Sequence, residues 1–378
     1  MGRSLLGEKI SSILVFKQRN IGDVLLATPA VRALRRAWPG ARIVVAVNSG
    51  TEAMVEGNPD IDRVLVFDRS ARDAGGERRL AEEIRFVREI RKSRPELAVQ
   101  LTEGDRGAIL AVLSGARFRV GVAPARRGLL GKEKLFTHLC HRPSLYRHAV
   151  LRDLDVVGTA GIPPAEPELR FHFSGPDRER AAGLLSAAGV FPGAAYAVLQ
   201  PGSRWKFKCW TDAGYSGLIE HLSRRRLLPV VTAGPDPDEV AQVDRIRGIC
   251  AVPFVSLAGR LTFGELGALI SSARLYVGVD SAPMHIAAAV GTPVIALFGP
   301  TGAFNWAPWE GVDWGYTETD PRGTRFVGRH VVIQKDWECV PCGEDGCPGT
   351  KRSRCMEEIS VGEVAEAVDR VLTRPVRA

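Results

Sequence analysis

Short runs of branched apolar residues, each followed by a stretch of helical spacing, recur along this sequence. That alternation restricts the fold more than any other feature. The first run is Ile13-Leu14-Val15-Phe16, which ends at the polar Lys17. Val24, Ala27, Val31 and Leu34 then fall three or four apart, the spacing of one buried helix face. Residues 43–47, 64–67 and 97–101 read as further strands, with helical spacing over 80–90. Strands that are apolar without alternation belong to a parallel sheet covered on both faces, and βαβ units build such a sheet.

A second alternation begins after Pro163, Pro164 and Pro167. Its strands are residues 197–199, 229–232, Leu275–Val279 and Val294–Phe298, and a last helix is expected over 361–372. The length agrees, because 378 residues exceed one ordinary domain and suit two. The expected organisation is a first Rossmann-like domain over 1–180, a second over 190–360, and a C-terminal helix in 361–378 packing back toward the first. A linker is expected over 173–194. Two successive βα domains of similar size match a twin-Rossmann architecture with a cleft between.

Composition narrows the class. The chain is 45% hydrophobic and 25% charged. It has no apolar stretch approaching the roughly 18 residues that span a bilayer, and residues 1–10 lack the apolar run of a signal peptide. The expected compartment is the cytoplasm. A net charge of +8 favours anionic partners. Residues 117–152 carry nine Lys or Arg against one acid, Glu133. Residues 63–94 are also basic, but their acids are interspersed, as on a solvated helix face.

Four segments fall just after predicted strands, where open α/β sheets bind ligands. Gln18-Arg19-Asn20-Ile21-Gly22-Asp23-Val24 joins the first strand to the first helix. Gly22 permits close backbone approach. Asp23 there is a first-turn cap acid or a general base facing a ligand; spacing alone favours the cap. The segment lacks G-x-G-x-x-G and is no dinucleotide fingerprint. In the second segment, residues 200–210, Gly202 and Ser203 offer backbone N–H groups, while Arg204, Lys206 and Lys208 bring positive charge. That set suits a pyrophosphate. Trp205, Phe207 and Trp210 argue against a merely solvated basic loop.

The third segment is Gly278-Val279-Asp280-Ser281-Ala282-Pro283-Met284-His285-Ile286-Ala287-Ala288-Ala289. A helix opens near Ala282 with Pro283 in its first turn. Asp280 or Ser281 would cap it, and its free N–H groups make an anion site. His285 lies one turn in, and its neighbours favour phosphate or sugar contact over a purely structural role. The fourth, Phe298-Gly299-Pro300-Thr301-Gly302, is a turn that lines a site or an ordinary turn.

In order, and over nearly the whole chain, these segments resemble the ADP-heptose:lipopolysaccharide heptosyltransferases of glycosyltransferase family 9. The residues that carry the resemblance are Ile21-Gly22-Asp23-Val24-Leu25-Leu26-Ala27-Thr28-Pro29-Ala30, Pro201-Gly202-Ser203 with Lys208 and Trp210, the third segment, and Phe298-Gly299-Pro300-Thr301. The third segment is the most specific. Arg147-His148-Ala149-Val150 adds a resemblance to the heptosyltransferase III group.

The resemblance implies an α/β, GT-B fold of two Rossmann-like domains facing a central cleft. It implies an inverting glycosyltransferase that needs no cofactor and moves heptose from ADP-heptose to the inner core of lipopolysaccharide. Asp23 becomes the general base for the acceptor hydroxyl, and Lys208 the partner of the diphosphate. Ser203 and Arg204 take phosphate-loop positions. Asp280 contacts the donor heptose, and Ser281, Ala282 and His285 line the phosphates. Glu239 would hold the ribose and Leu261 would flank the adenine. The first domain would handle the acceptor. Its basic stretch 117–152 would meet a phosphorylated core and an anionic membrane face, or only solvent. A peripheral place on the cytoplasmic face of the inner membrane follows. No nucleic-acid-binding motif accompanies the charge.

Cys339, Cys342, Cys347 and Cys355 cluster near the end of the sequence. Their irregular spacing leaves two readings open, a structural zinc or reduced thiols. Two other functional readings stand beside the heptosyltransferase. One is a family 9 transferase with a different nucleotide sugar. The other is a nucleotide-sugar-binding protein without turnover, against which the presence of Asp23 argues.

Overall fold

In the computed structural model the apolar runs become parallel strands. The structure describes residues 4–72, 75–123, 131–141, 144, 146–163, 166–348 and 350–373. The chain divides into two compact units, Met1–His172 and Phe173–Ala378.

The first unit runs β1 (Ser12–Phe16), α1 (Ile21–Leu26), α2 (Thr28–Ala37), β2 (Arg42–Asn48), β3 (Arg63–Phe67), α3 (Gly76–Lys92), β4 (Leu97–Gln100), α4 (Asp105–Leu113), β5 (Phe118–Val122), β6 (His138–Cys140) and α5 (Ala149–Gly158). The six strands are parallel, in the order β3-β2-β1-β4-β5-β6. β1 is central, with Ile13 in register with Ile43 on one side and Leu97 on the other. All of β1 is buried, which is why its sequence shows no alternation. Phe86 and Ile90 of α3 and Leu110 and Ala111 of α4 pack on Leu14, Phe16, Val44 and Phe67. α1 is too short to persist alone. Buried Val24, Leu25 and Leu26 hold it, each contributing about 1.5–3 kcal/mol.

The second unit runs α6 (Gly175–Ala187), β7 (Tyr196–Gln200), α7 (Asp212–Arg224), β8 (Leu228–Val231), α8 (Pro237–Ile249), β9 (Val255–Ser256), α9 (Phe263–Ser271), β10 (Leu275–Val279), α10 (Ala282–Ala289), β11 (Val294–Phe298), α11 (Ala303–Trp306), β12 (Arg325–Val327), β13 (His330–Gln334), α12 (Arg354–Glu357) and α13 (Val361–Thr373). Its sheet has the order β12-β13-β11-β10-β7-β8-β9, with β12 antiparallel and every other pair parallel. Among the described residues no helix is long and apolar enough to cross a membrane.

One expectation is corrected. Residues 173–194 are not a linker, because they contain α6. Ser174 Oγ accepts the Asp177 N–H at 3.2 Å and Asp177 Oδ2 accepts the Ser174 N–H at 2.8 Å, a closed capping box. α6 then packs on α9. Val364, Ala367, Val368 and Val371 of α13 complete the core of the second unit, and Asp369 receives His221 of α7 at 2.9 Å.

Candidate functional site

In each sheet the strand order reverses at one point, and loops at the carboxyl ends of the strands flanking it are where such sheets bind ligands. In the first unit that point lies between β1 and β4. Lys17 follows β1, and its Nζ donates to Asp153 Oδ2 at 2.6 Å, to Asp153 Oδ1 at 2.9 Å and to the Leu101 carbonyl at 3.4 Å. Both side chains are 7% exposed. Burial pushes the Asp153 carboxyl up to about 6 against the pull of Lys17, and the Asp23 carboxylate adds to the rise.

Asp23 is the third residue of α1 and is buried. Its Oδ2 accepts the Asn20 N–H at 3.2 Å, and its Oδ1 faces Arg19 Nε at 4.0 Å. The cap role expected from spacing is therefore realised. Arg19 stands beside this carboxylate, and the nearby acid Asp153 senses its charge. The loop is fixed from β4: the Gln18 N–H donates to Thr102 Oγ1 at 3.1 Å, and Arg106 donates to Gln18 Oε1 at 2.5 Å.

In the second unit the reversal lies between β7 and β10. Lys208 Nζ, from the loop after β7, donates to Asp280 Oδ2, from the loop after β10, at 2.7 Å. Ser281 is the N-cap residue of α10 and Ala282 its first residue, so the unsatisfied amides of that helix open beside the pair. His285 is buried one turn further on. Ser203 is buried too, with its Oγ accepting the Trp205 N–H at 3.3 Å.

Glu239 of α8 reaches back across the loops. Its Oε2 accepts the Gly234 N–H at 3.0 Å, and a Cβ at residue 202 would lie 2.8 Å from the same oxygen. A side chain at residue 202 would therefore press on the Glu239 carboxylate. Leu261 is half-buried on the loop after β9, beyond the turn that Gly259 closes by donating to the Ala233 carbonyl at 3.0 Å. Arg204 stands apart, exposed and stacked 5.2 Å from the centre of the Trp205 ring.

The sequence-predicted donor residues thus lie on the loops or helix starts that follow β7, β8, β9 and β10. Sequence reasoning missed Lys17 and Asp153, and it missed Gln334. Gln334 Nε2 donates to the Gly299 and Thr301 carbonyls at 3.0 Å each and holds the fourth loop.

The cysteine segment packs under that same loop. A Cβ at residue 299 would meet Met356 Cγ at 2.5 Å and Cys355 Sγ at 3.3 Å, and the Gly343 N–H donates to the Pro300 carbonyl at 2.8 Å. Cys339, Cys342, Cys347 and Cys355 are free thiols. Among the described residues no three Cys, His, Asp or Glu side chains are grouped to hold a metal. Hydrogen bonds tie the segment, with the Cys347 N–H donating to the Arg352 carbonyl at 2.7 Å and the Arg354 N–H to Cys347 Sγ at 3.4 Å.

The basic stretch 117–152 falls partly on residues 124–130, 142, 143 and 145, which lie outside the described residues. Several of its described cations are engaged within the first unit. Arg147 pairs with Asp155 at 2.5 Å, Arg152 with Glu103 at 3.2 Å and Arg117 with Glu8 at 3.6 Å, while Arg119 donates to the Leu135 carbonyl at 2.6 Å. His148 is the N-cap residue of α5, the helix that delivers Asp153.

The sequence profile of glycosyltransferase family 9 (heptosyltransferase) matches residues 84–347. Lipopolysaccharide heptosyltransferase 3 of Escherichia coli is 37% identical over 289 residues, which cover 76% of this chain and 83% of that protein. Among solved structures, a glycosyl transferase family 9 protein of Veillonella parvula superposes with a TM-score of 0.78 at 21% identity, over 96% of this chain and 97% of that one. E. coli heptosyltransferase WaaC, solved with ADP-2-deoxy-2-fluoro heptose, superposes with a TM-score of 0.68 at 18% identity, over 95% and 99%.

Proposed function

The chain belongs to glycosyltransferase family 9, with the family's GT-B fold, and on that premise we propose that its two strand-end sites serve the two halves of one glycosyl transfer. The protein is a heptosyltransferase that moves heptose from ADP-heptose to the inner core of lipopolysaccharide and requires no cofactor. The 37% identity to a heptosyltransferase 3, across 83% of that protein, supports the third heptose addition as its step.

In the transfer, an acceptor hydroxyl oxygen bonds to the anomeric carbon of the heptose as the bond to the β-phosphate oxygen breaks. Asp23 takes the hydroxyl proton as general base. The departing ADP gains negative charge, which Lys208 and the first amides of α10 stabilise. Ser203 and Arg204 contact the phosphates, with Ser281, Ala282 and His285 along the helix start. Glu239 holds the ribose and Leu261 lies against the adenine. A single displacement with one base inverts the anomeric configuration.

One observation carries the donor half of this reading. Lys208 meets Asp280 at 2.7 Å beside the N-terminus of α10, so a cation, a helix end and an acid able to bind sugar hydroxyls stand together. The donor phosphates exchange for Asp280 on Lys208, and the carboxylate turns to the heptose hydroxyls. Because the acceptor is lipid-anchored, the enzyme works peripherally at the anionic cytoplasmic face of the inner membrane. A transfer assay with ADP-heptose and a series of defined truncated cores tests the function. A heptosylated product with inverted linkage on one core is expected. Activity only with another nucleotide sugar would overturn the donor, and binding of ADP-heptose without turnover would overturn the enzyme.

A further inference from the structure

Ten large hydrophobic side chains are exposed among the described residues, and five of them lie on two neighbouring helices of the first unit. Leu80 and Ile84 of α3 are 62% and 42% exposed; Ile109, Val112 and Leu113 of α4 are 43%, 40% and 37% exposed. The helices lie side by side in the same direction. Arg106 at the start of α4 pairs with Glu83 at 2.9 Å, and Arg91 near the end of α3 donates to the Leu113 carbonyl at 2.8 Å. Leu80, Ile84 and Arg88 fall four apart on one face of α3, and Ile109, Val112 and Leu113 share one face of α4. An apolar strip therefore continues from one helix to the next, and such a patch marks an interaction surface.

The charge around the strip selects the partner. Glu82, Glu83 and Glu89 of α3 are engaged by Arg85, Arg106 and the pair Arg63 and Lys92. Arg79 and Arg88 of α3 and Arg94 just beyond it are exposed with no ion-pair partner among the described residues, against one such acid, Glu77, so the unpaired charge on this side is net positive. Exposed aliphatic groups among uncompensated arginines match an anionic lipid surface. A second copy of the chain is a poor match, because a two-fold contact sets the same patch against itself and faces arginine with arginine.

We propose that the α3–α4 face of the first unit is the surface that seats the enzyme on an anionic membrane, with Leu80, Ile84, Ile109, Val112 and Leu113 entering the headgroup boundary. The proposal rests on the reading that the acceptor is lipid-anchored, and it gives that reading a location. Residues 63–94, which read from sequence as a solvated helix face, thereby gain a role.

Vesicle co-sedimentation of the full chain tests it. The parent protein binds vesicles containing phosphatidylglycerol roughly tenfold or more better than pure phosphatidylcholine vesicles, and salt weakens the binding. Ile84→Ser with Val112→Ser lowers the partition about tenfold. Arg79→Gln with Arg88→Gln lowers it roughly fivefold per arginine on anionic vesicles alone. Both double variants transfer heptose to a water-soluble, deacylated core as the parent does. Equal binding of parent and Ile84→Ser/Val112→Ser protein overturns the surface, as does a parent that binds neither vesicle. If the parent is a dimer and that variant a monomer, with vesicle binding unchanged, the face joins two copies and the proposal fails. Loss of parental transfer to the deacylated core strikes the enzymatic reading and leaves the membrane result to stand on its own.

Discussion

The two units place opposite chemistry at equivalent positions of the same scaffold. Each has a parallel sheet whose order reverses beside its first strand, and each presents a loop and a helix start there. In the first unit the loop after β1 gathers a carboxylate system: Asp23, with Asp153 behind it and Lys17 and Arg19 nearby. In the second unit the loops after β7 and β10 gather a cation, a helix N-terminus and one acid. The strand end supplies position, while the few residues after it gather paired acids in one unit and a cation beside a helix start in the other.

The difference yields predictions that separate the two halves. Asp23→Asn removes the proposed base but keeps an oxygen to accept the Asn20 N–H. Transfer should fall about 10³–10⁴-fold while ADP affinity holds, as single-turnover rates and calorimetry would show. A parallel loss of ADP binding would erase the division between units. Lys17→Met leaves Asp153 buried without its counter-charge and should destabilise the first unit by about 3–5 kcal/mol in urea unfolding. Adding Asp153→Leu should restore most of that loss, because the pair is replaced by apolar groups.

Smaller effects belong to the second unit. Lys208→Ala should weaken ADP binding roughly 10- to 100-fold. Asp280→Asn should tighten ADP binding several-fold, since Lys208 then has no carboxylate to give up, yet it should slow transfer of the heptose; a variant that loses ADP binding would show that Asp280 orders the phosphate site instead.

The smallest effect is the pH dependence of Asp153. Its carboxyl is raised in the folded protein from 3.8 to about 6. Between those values the folded state keeps a proton that the unfolded chain has released. The contribution is therefore full below about 3.8 and lost as pH rises through about 6. The stability advantage of the parent over Asp153→Asn should shrink between pH 4 and pH 7, as urea titrations at several pH values would reveal.

What could be read in advance was local. The run 13–16 falls inside β1, and the helix expected over 361–372 is α13. Residues that act within one loop or one turn, such as Asp280, Ser281 and Ala282, carry their signal in adjacent positions. Lys17 and Asp153 are 136 residues apart, and nothing near either announces the other. Gln334 is likewise 35 residues from the Gly299 carbonyl it holds. The error over 173–194 was different, because Ser174 and Asp177 spell a capping box that flanking prolines and glycines obscured. For 117–152 the limit has a third cause: a count of arginines does not show which of them meet an acid inside the fold, as Arg147 and Arg152 do.

With the donor role proposed above, the contact between Lys208 and Asp280 bears on how that site treats bystander anions. A lysine that already holds a carboxylate at 2.7 Å answers only to an anion that can displace it. A small monoanion offers little that Asp280 does not. A nucleoside diphosphate sugar brings several oxygens and, in its hydroxyls, a new occupation for the displaced acid. On that reading the pair would act as a filter against simple monoanions, and competition experiments with chloride should leave ADP binding nearly unchanged.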